Sequence, residues 1–247
     1  MTIIALYNLK GGVGKTAGCV NLAYLCAQQG HNTLLWDFDA QGAATFYFKQ
    51  QPKLRGGFKK LLAGETDPLQ HVQATEFKGL HLLPADFGNR HLDVLLEELK
   101  QSKKRFKNLL AQLEGHYDFL FIDCPPGIGA LSEVIFAAAD FVVMPTIPTT
   151  LSMRSFEMVQ AFFTEHKFDH SKLIGYFSMV DIRKNLHNET LEAQYRNKQF
   201  LKNYIPYLSS IEKMGSHLAP VASFAPSSYA AQCFADVWKE LKKKMNG

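Results

Sequence analysis

The run Leu9-Lys10-Gly11-Gly12-Val13-Gly14-Lys15-Thr16 constrains this chain more than any other feature. It fits the phosphate-binding pattern G-x-x-x-x-G-K-[ST], with Leu9 in place of the first glycine. The pattern carries chemistry only where a buried strand enters it and a helix leaves it. Both flanks meet that demand: Thr2-Ile3-Ile4-Ala5-Leu6-Tyr7 is apolar and strand-like, and Ala17 to Gln29 reads as a helix. Backbone N–H groups at such a junction converge on an anion, and the helix dipole favours negative charge. There Lys15 reaches the outer phosphates of a nucleotide and the Thr16 hydroxyl binds Mg²⁺. An isolated glycine-rich turn needs none of these parts in register.

Strands and helices alternate along the rest of the chain. Apolar runs at 33–36, 80–84, 118–123, 141–145 and 173–179 read as buried strands, and amphipathic stretches near 91–113, 151–166, 189–203 and 228–244 read as helices. A short helix is predicted at Phe58–Ala63, in the least legible stretch, 49–78. This order predicts an α/β fold, a doubly wound, mostly parallel sheet flanked by helices on both faces, of the P-loop NTPase type. With no repeat, low-complexity tract or long linker, residues 1–247 are expected to form one domain.

Two acidic segments follow strands. Asp37-Phe38-Asp39-Ala40-Gln41-Gly42 leaves the second, and Phe119-Leu120-Phe121-Ile122-Asp123 ends in an aspartate before Cys124-Pro125-Pro126-Gly127. Ligands of open α/β sheets bind at the carboxyl ends of the strands, so these carboxylates land beside the phosphate loop. They can hold Mg²⁺ through water or orient an attacking water. Asp37 equally suits a strand-end residue that caps a backbone group.

Composition narrows the classes. No apolar run reaches the length of a membrane span, and the start lacks a charged region followed by a long apolar one, so no signal peptide is expected. Cys19, Cys26, Cys124 and Cys233 show no metal-ligand spacing and read as reduced core thiols of a cytoplasmic protein. The net charge of +4 arises wholly within residues 151–247. Arg183, Lys184, Arg196, Lys198, Lys202 and Lys242 to Lys244 are candidates for contacts to DNA phosphates, with Lys198 and Lys202 placed on one face of the predicted helix.

Lys10-Gly11-Gly12-Val13-Gly14-Lys15-Thr16, Asp37 to Gly42 and Phe119 to Gly127 together resemble the ParA/MinD superfamily of deviant phosphate-loop ATPases, closest to its ParA-type members. The resemblance implies that Lys10 is a signature lysine, crossing a dimer interface to the partner's nucleotide as an arginine finger does. It implies ATP and Mg²⁺ as cofactors, held by Lys10, Gly11, Gly12, Val13, Gly14, Lys15, Thr16 and Ala17, with Asp123 accepting a Mg²⁺-bound water. Asp39 takes the family's role in hydrolysis. Ala40 and Ala17 depart from the usual Pro and Thr, and Ala17 is expected to alter nucleotide affinity. Ile205-Pro206 matches a family segment that packs on adenine, which places Pro206 on the base; Met179 and Asp181 are further candidates. The segments Pro145 to Ser152, with Thr or Ser able to cap the next helix, and Ala225 to Ala231 also match, so the resemblance covers nearly the whole chain.

The family's activity is ATP hydrolysis in an ATP-dependent sandwich dimer, stimulated by an adaptor on the cargo. Nonspecific DNA binding lets it position plasmids, chromosomes or large protein cargo over a bacterial nucleoid. The sequence opens on its first strand, so the N-terminal helix-turn-helix of longer members is not expected here. Two other readings compete. A MinD-like membrane-surface ATPase would use Phe234, Val237, Trp238, Leu241 and Met245, with lysines around them, as a lipid-facing helix. The expectation here is that this face packs on the domain instead. An iron-cluster ATPase of the nitrogenase iron-protein kind would need cysteines spaced to bridge a cluster, which this chain does not offer.

Overall fold

The computed structural model describes residues 1–52, 54, 57–88 and 92–246. Its centre is a seven-stranded sheet of β1 (Thr2–Leu6), β2 (Thr33–Asp37), β3 (Gln73–Ala74), β4 (Leu80–Leu83), β5 (Phe119–Asp123), β6 (Phe141–Thr146) and β7 (Leu173–Phe177). The order across the sheet is β3-β4-β2-β5-β1-β6-β7. All neighbours are parallel except the two-residue edge strand β3, which runs antiparallel to β4. The strands predicted from apolar runs are all present, within two residues at each end.

Helices cover both faces because successive strand residues point to opposite sides. In β1, Ile3 and Ala5, followed by Tyr7, pack into a core with α3 (Gly57–Ala63), α4 (Leu92–Glu98), α5 (Ser102–Ala111), α6 (Ala130–Ala138) and α7 (Thr150–Glu165). Ile4 and Leu6 pack into the other core with α1 (Lys15–Gln28) and the last helix, α12 (Tyr229–Met245). All four cysteines are buried and free, as the sequence suggests.

α12 bears on the membrane reading. Phe234, Val237, Trp238 and Leu241 are buried against α1 and the sheet, and Met245 packs beside them. Trp238 Nε1 donates to Gln29 Oε1 at 3.0 Å. Each large apolar side chain contributes about 1.5–3 kcal/mol on burial. Lifting this face onto lipid would uncover the side chains of α1 and the sheet that it now buries, exposing that apolar surface to water. The helix belongs to the core.

Some helices differ from expectation. The helix predicted over 91–113 is two, α4 and α5, broken near Gln101 in the left-handed conformation (φ 60°); its predicted start at residue 91 lies outside the described residues. The helix predicted over 189–203 is α8 (Asn185–Gln194), and it stops there. Asn197 Oδ1 accepts from Gln199 N at 2.9 Å, turning the chain back to the sheet edge. Gly175 N then donates to Gln199 O, and Leu201 N to Gly175 O, each at 2.8 Å. Gly175 permits the approach, because a Cβ there would lie 2.6 Å from the Phe200 ring. Lys198 and Lys202 are therefore not on a helix. Between α8 and α12 the chain forms the short helices α9 (Ser209–Glu212), α10 (Met214–His217) and α11 (Val221–Phe224), and α2 (Ala43–Tyr47) follows β2.

Candidate functional site

The loop after β1 is tied on several sides. Asn8 Nδ2 donates to Pro145 O at 2.8 Å, while Asn8 Oδ1 accepts from Lys10 N at 2.9 Å. Ser178 Oγ donates to Val13 O at 2.7 Å. Tyr7 Oη donates to Gly127 O at 2.7 Å, and Gly127 N returns a bond to Leu9 O at 3.3 Å. Gly12 and Gly14 adopt φ of 72° and 89°, a region other residues rarely enter. Gly14 caps α1 with no side-chain hydrogen bond, and no acidic residue stands in its first turn. The helix thus presents its first N–H groups without a side-chain acceptor, the arrangement that receives an anion.

Charge gathers beneath this loop. The register places Asp37 and Leu6 on either side of Asp123, at the carboxyl ends of three adjacent strands. Lys15 is 7% exposed, and its Nζ donates to Lys10 O at 2.8 Å. Burial lowers its pKa, and Asp123, Cys124 and Asp39 oppose that shift. Asp123 is wholly buried, and neither carboxylate oxygen has a hydrogen-bond partner among the described residues. Burial, reinforced by Asp37, pushes its pKa well above the ordinary carboxylate value; the nearby Thr16 hydroxyl and Lys15 pull the other way.

Asp37 has a structural task. Its Oδ2 accepts from Thr45 N and Thr45 Oγ1, both at 2.8 Å, and Oδ1 accepts from Asp39 N at 3.2 Å. It anchors α2, the capping alternative raised by the sequence. Burial raises its pKa to about 6, against the Thr45 bonds. Asp39 is half-buried, and its Oδ1 accepts from Gln41 N at 2.9 Å.

Beside the loop opens a small apolar cavity. Gly14 and Ala17 form one wall, Tyr176, Ser178 and Met179 a second, and Ile205, Pro206 and Tyr207 a third. Met179 is in the left-handed conformation, φ 53°. Val180 N donates to Ile205 O and Tyr207 N to Val180 O, so the 205–207 segment is fixed to the strand end. Pro206, Ala17 and Met179 all line this one cavity. Asp181 does not line this cavity; it forms a bidentate pair with Arg183 at 2.8 and 2.9 Å.

Residues 1–172 match the family AAA_31, an AAA domain. Over 241 residues the chain is 30% identical to the chromosome-partitioning ATPase Soj of Treponema pallidum (strain Nichols), covering 93% of this chain and 90% of that one. It is 28% identical over 249 residues to the sporulation initiation inhibitor protein Soj of Bacillus subtilis (strain 168), with 97% of each covered. The structure of cobyrinic acid a,c-diamide synthase from Mycobacterium smegmatis with bound ATP analog and magnesium matches it with a TM-score of 0.83 at 25% identity, over 98% of this chain and 94% of that one. The chain belongs to the ParA/Soj family of P-loop ATPases.

In this ParA-family chain the basic candidates divide. Arg196, Lys198, Lys202, Lys243 and Lys244 line one open cleft, together with Glu240. Lys202 sits over the Tyr195 ring, 4.9 Å from its centre, and Lys244 bonds the Lys198 carbonyl. Lys242 is turned away onto Gln29 Oε1 at 2.5 Å. Arg183 is paired with Asp181, and it and Lys184 lie outside the cleft. Sequence reasoning missed Asn8 and Tyr7 as loop ties, and Thr45 as the partner of Asp37. A polar residue at a strand-to-loop turn is the signal for Asn8; Tyr7 read only as an apolar strand residue. Thr149 stands at the N-cap of α7 as expected, but its hydroxyl bonds Ser152 Oγ at 3.2 Å, not a backbone N–H.

Proposed function

We propose that this chain binds ATP with Mg²⁺ at the start of α1, closes with a second copy into an ATP-dependent dimer, and hydrolyses ATP in a cycle that positions DNA or a large protein cargo. The observation that carries the reading is Asp123, a wholly buried carboxylate with no hydrogen-bond partner among the described residues, set near Thr16 and Lys15. An orphaned buried carboxylate costs several kcal/mol unless a cation or a bound water satisfies it.

Among the described residues no three His, Cys, Asp or Glu side chains are grouped to hold a metal by themselves. That fits Mg²⁺, which keeps several waters and takes the rest of its shell from substrate phosphates. Thr16 would hold it directly, with Asp123 and Asp39 acting through water. Bound there, it would neutralise charge on the phosphate oxygens. The chain's own groups do the rest. Lys15 exchanges the Lys10 carbonyl for phosphate oxygen, and the N–H groups from Gly11 to Thr16 cradle the phosphates, with Ala17 beside them. Asp39 orients the attacking water. The Lys10 ammonium makes no hydrogen bond or ion pair to a described residue, which leaves it free to serve the partner's nucleotide in trans. Pro206 packs on the base.

Membership of the ParA/Soj family supports the dimer cycle, the stimulating adaptor and a cytoplasmic, nucleoid-associated place in a bacterial cell. The basic cleft supports sequence-independent contact with DNA phosphates. The test is a sizing column and co-sedimentation with random duplex DNA, each with and without ATP. Dimerisation and DNA binding should both require ATP. A monomer that ignores DNA at low salt with ATP present contradicts the cycle.

A further inference from the structure

Two clefts meet along a wall made by Tyr195 and Lys202. One is the basic cleft, where Arg196, Lys198, Lys202 and Lys243 make no ion pair with a described residue. Glu240, the one carboxylate among the described residues that line it, is turned onto the backbone: Oε1 accepts from Lys202 N and Oε2 from Asn203 N, both at 2.8 Å. The other is a recess walled by Phe177, Leu191, Leu201 and Tyr204, with Glu192 and Gln194 also lining it. Tyr195 ends α8 beside these apolar side chains and is nonetheless 64% exposed. Lys202 Nζ lies 4.9 Å from the centre of its ring, a cation–π contact that restrains the ring.

An exposed ring set between a row of cations and an apolar recess suits a polyanion that also carries flat apolar groups. Duplex DNA offers the phosphates but keeps its bases stacked inside, so it would use the basic cleft and leave the ring and the recess empty. An unpaired strand offers both, phosphates to the cations and a base to the aromatic face. The Glu192 carboxylate repels phosphate and accepts from a base amine, which places the base in the recess and the backbone outside it. We propose that this double cleft binds an unpaired DNA strand, with its phosphates along Arg196, Lys198 and Lys202 and a base stacked on Tyr195. This rests on the reading of the basic cleft as a phosphate-binding surface. It goes beyond that reading, which gives the bases no part.

Three ligands of equal length separate the parts: a mixed-sequence single strand, its duplex, and an abasic single strand, which keeps the phosphates and has no bases. Fluorescence anisotropy reads their dissociation constants with ATP present. Stacking one base on an aromatic ring is worth about tenfold in affinity. Wild-type protein should bind the base-bearing strand about tenfold more tightly than the abasic one. Tyr195→Ala should remove that advantage and leave the abasic strand and the duplex unchanged, while Tyr195→Phe should retain it. Lys198→Gln should weaken all three ligands. A merely structural role for Tyr195 would also weaken all three alike and leave their ratios alone. The proposal is overturned if wild type binds the base-bearing and abasic strands equally, or if Tyr195→Ala leaves their ratio unchanged. Duplex binding alongside equal affinities for the two single strands overturns the base site alone and leaves the phosphate cleft standing. If folded wild-type protein with ATP binds none of the three, the DNA reading itself fails, and this inference with it.

Discussion

Gly18 lies one turn into α1, and a Cβ built there would sit 2.3 Å from Tyr176 Oη and 3.6 Å from Tyr176 Cζ. Tyr176 is fully buried in β7, at the wall of the apolar cavity beside the loop, so it cannot swing into solvent. Two effects compete in Gly18→Ala. Helix propensity favours alanine by about 0.5–1 kcal/mol. Overpacking in a closed core costs about 1–3 kcal/mol. The steric cost wins, giving a net loss of roughly 1 kcal/mol, and the displaced Tyr176 should also weaken ATP binding. In a Tyr176→Phe background the offending atom is gone and the next contact is ordinary. There Gly18→Ala should stabilise by about 0.5–1 kcal/mol. The sign reversal is the diagnostic, read as a double-mutant cycle by urea denaturation with ATP calorimetry beside it. Additive effects, with Gly18→Ala stabilising in both backgrounds, would refute the packing argument.

Other expectations are more direct. Lys10→Ala should still bind ATP, since Lys15 and the loop backbone remain, but lose ATP-dependent dimerisation on a sizing column and lose turnover; normal dimerisation removes Lys10 from the trans role. Asp39→Ala should bind ATP and stay dimeric with hydrolysis stopped, so wild-type phosphate release from that variant contradicts its assignment. Asp37 keeps its proton to about pH 6 in the native state, against about 3.9 when unfolded. Native protein therefore holds more protons than unfolded protein across that window. The contribution of Asp37 to stability, full below about pH 4, should fall by up to roughly 3 kcal/mol by pH 7, and Asp123 acts in the same direction. Asp37→Asn should flatten this decline in denaturation curves at pH 4–7; an unchanged slope counts against it. Neutralising Lys198 and Lys202 together should weaken DNA binding and reduce its log–log salt slope by roughly 0.9 per contact, with ATP affinity unchanged; an unaltered slope would take both residues out of the interface.

The sheet was legible because parallel strands buried on both faces read as continuous apolar runs, as in Phe119–Asp123. The phosphate loop was legible because its glycines and Lys15 answer to one geometry. What escaped the sequence was tertiary. Asn197 turns the chain after Gln194, but what holds residues 199–201 at the sheet edge is their pairing with Gly175, a residue distant in the sequence. Asp37 and Asp123 look alike as strand-end aspartates; Thr45 satisfies the first, while the second has no hydrogen-bond partner among the described residues. The basic residues look like one set in sequence. In the fold, Lys242 is spent on Gln29 and Arg183 on Asp181, while Arg196, Lys198 and Lys202 share a cleft.

If the start of α1 receives the phosphates of ATP, calorimetric titration of Mg·ATP into wild-type and Lys15→Ala protein will separate the two. Lys15 is buried, with its ammonium turned back onto the loop's own carbonyl, so a charge-assisted phosphate contact there is worth about 1.5–3 kcal/mol. Wild-type protein should bind, and Lys15→Ala should lose at least tenfold in affinity while remaining folded. Equal affinity in the two proteins would contradict it.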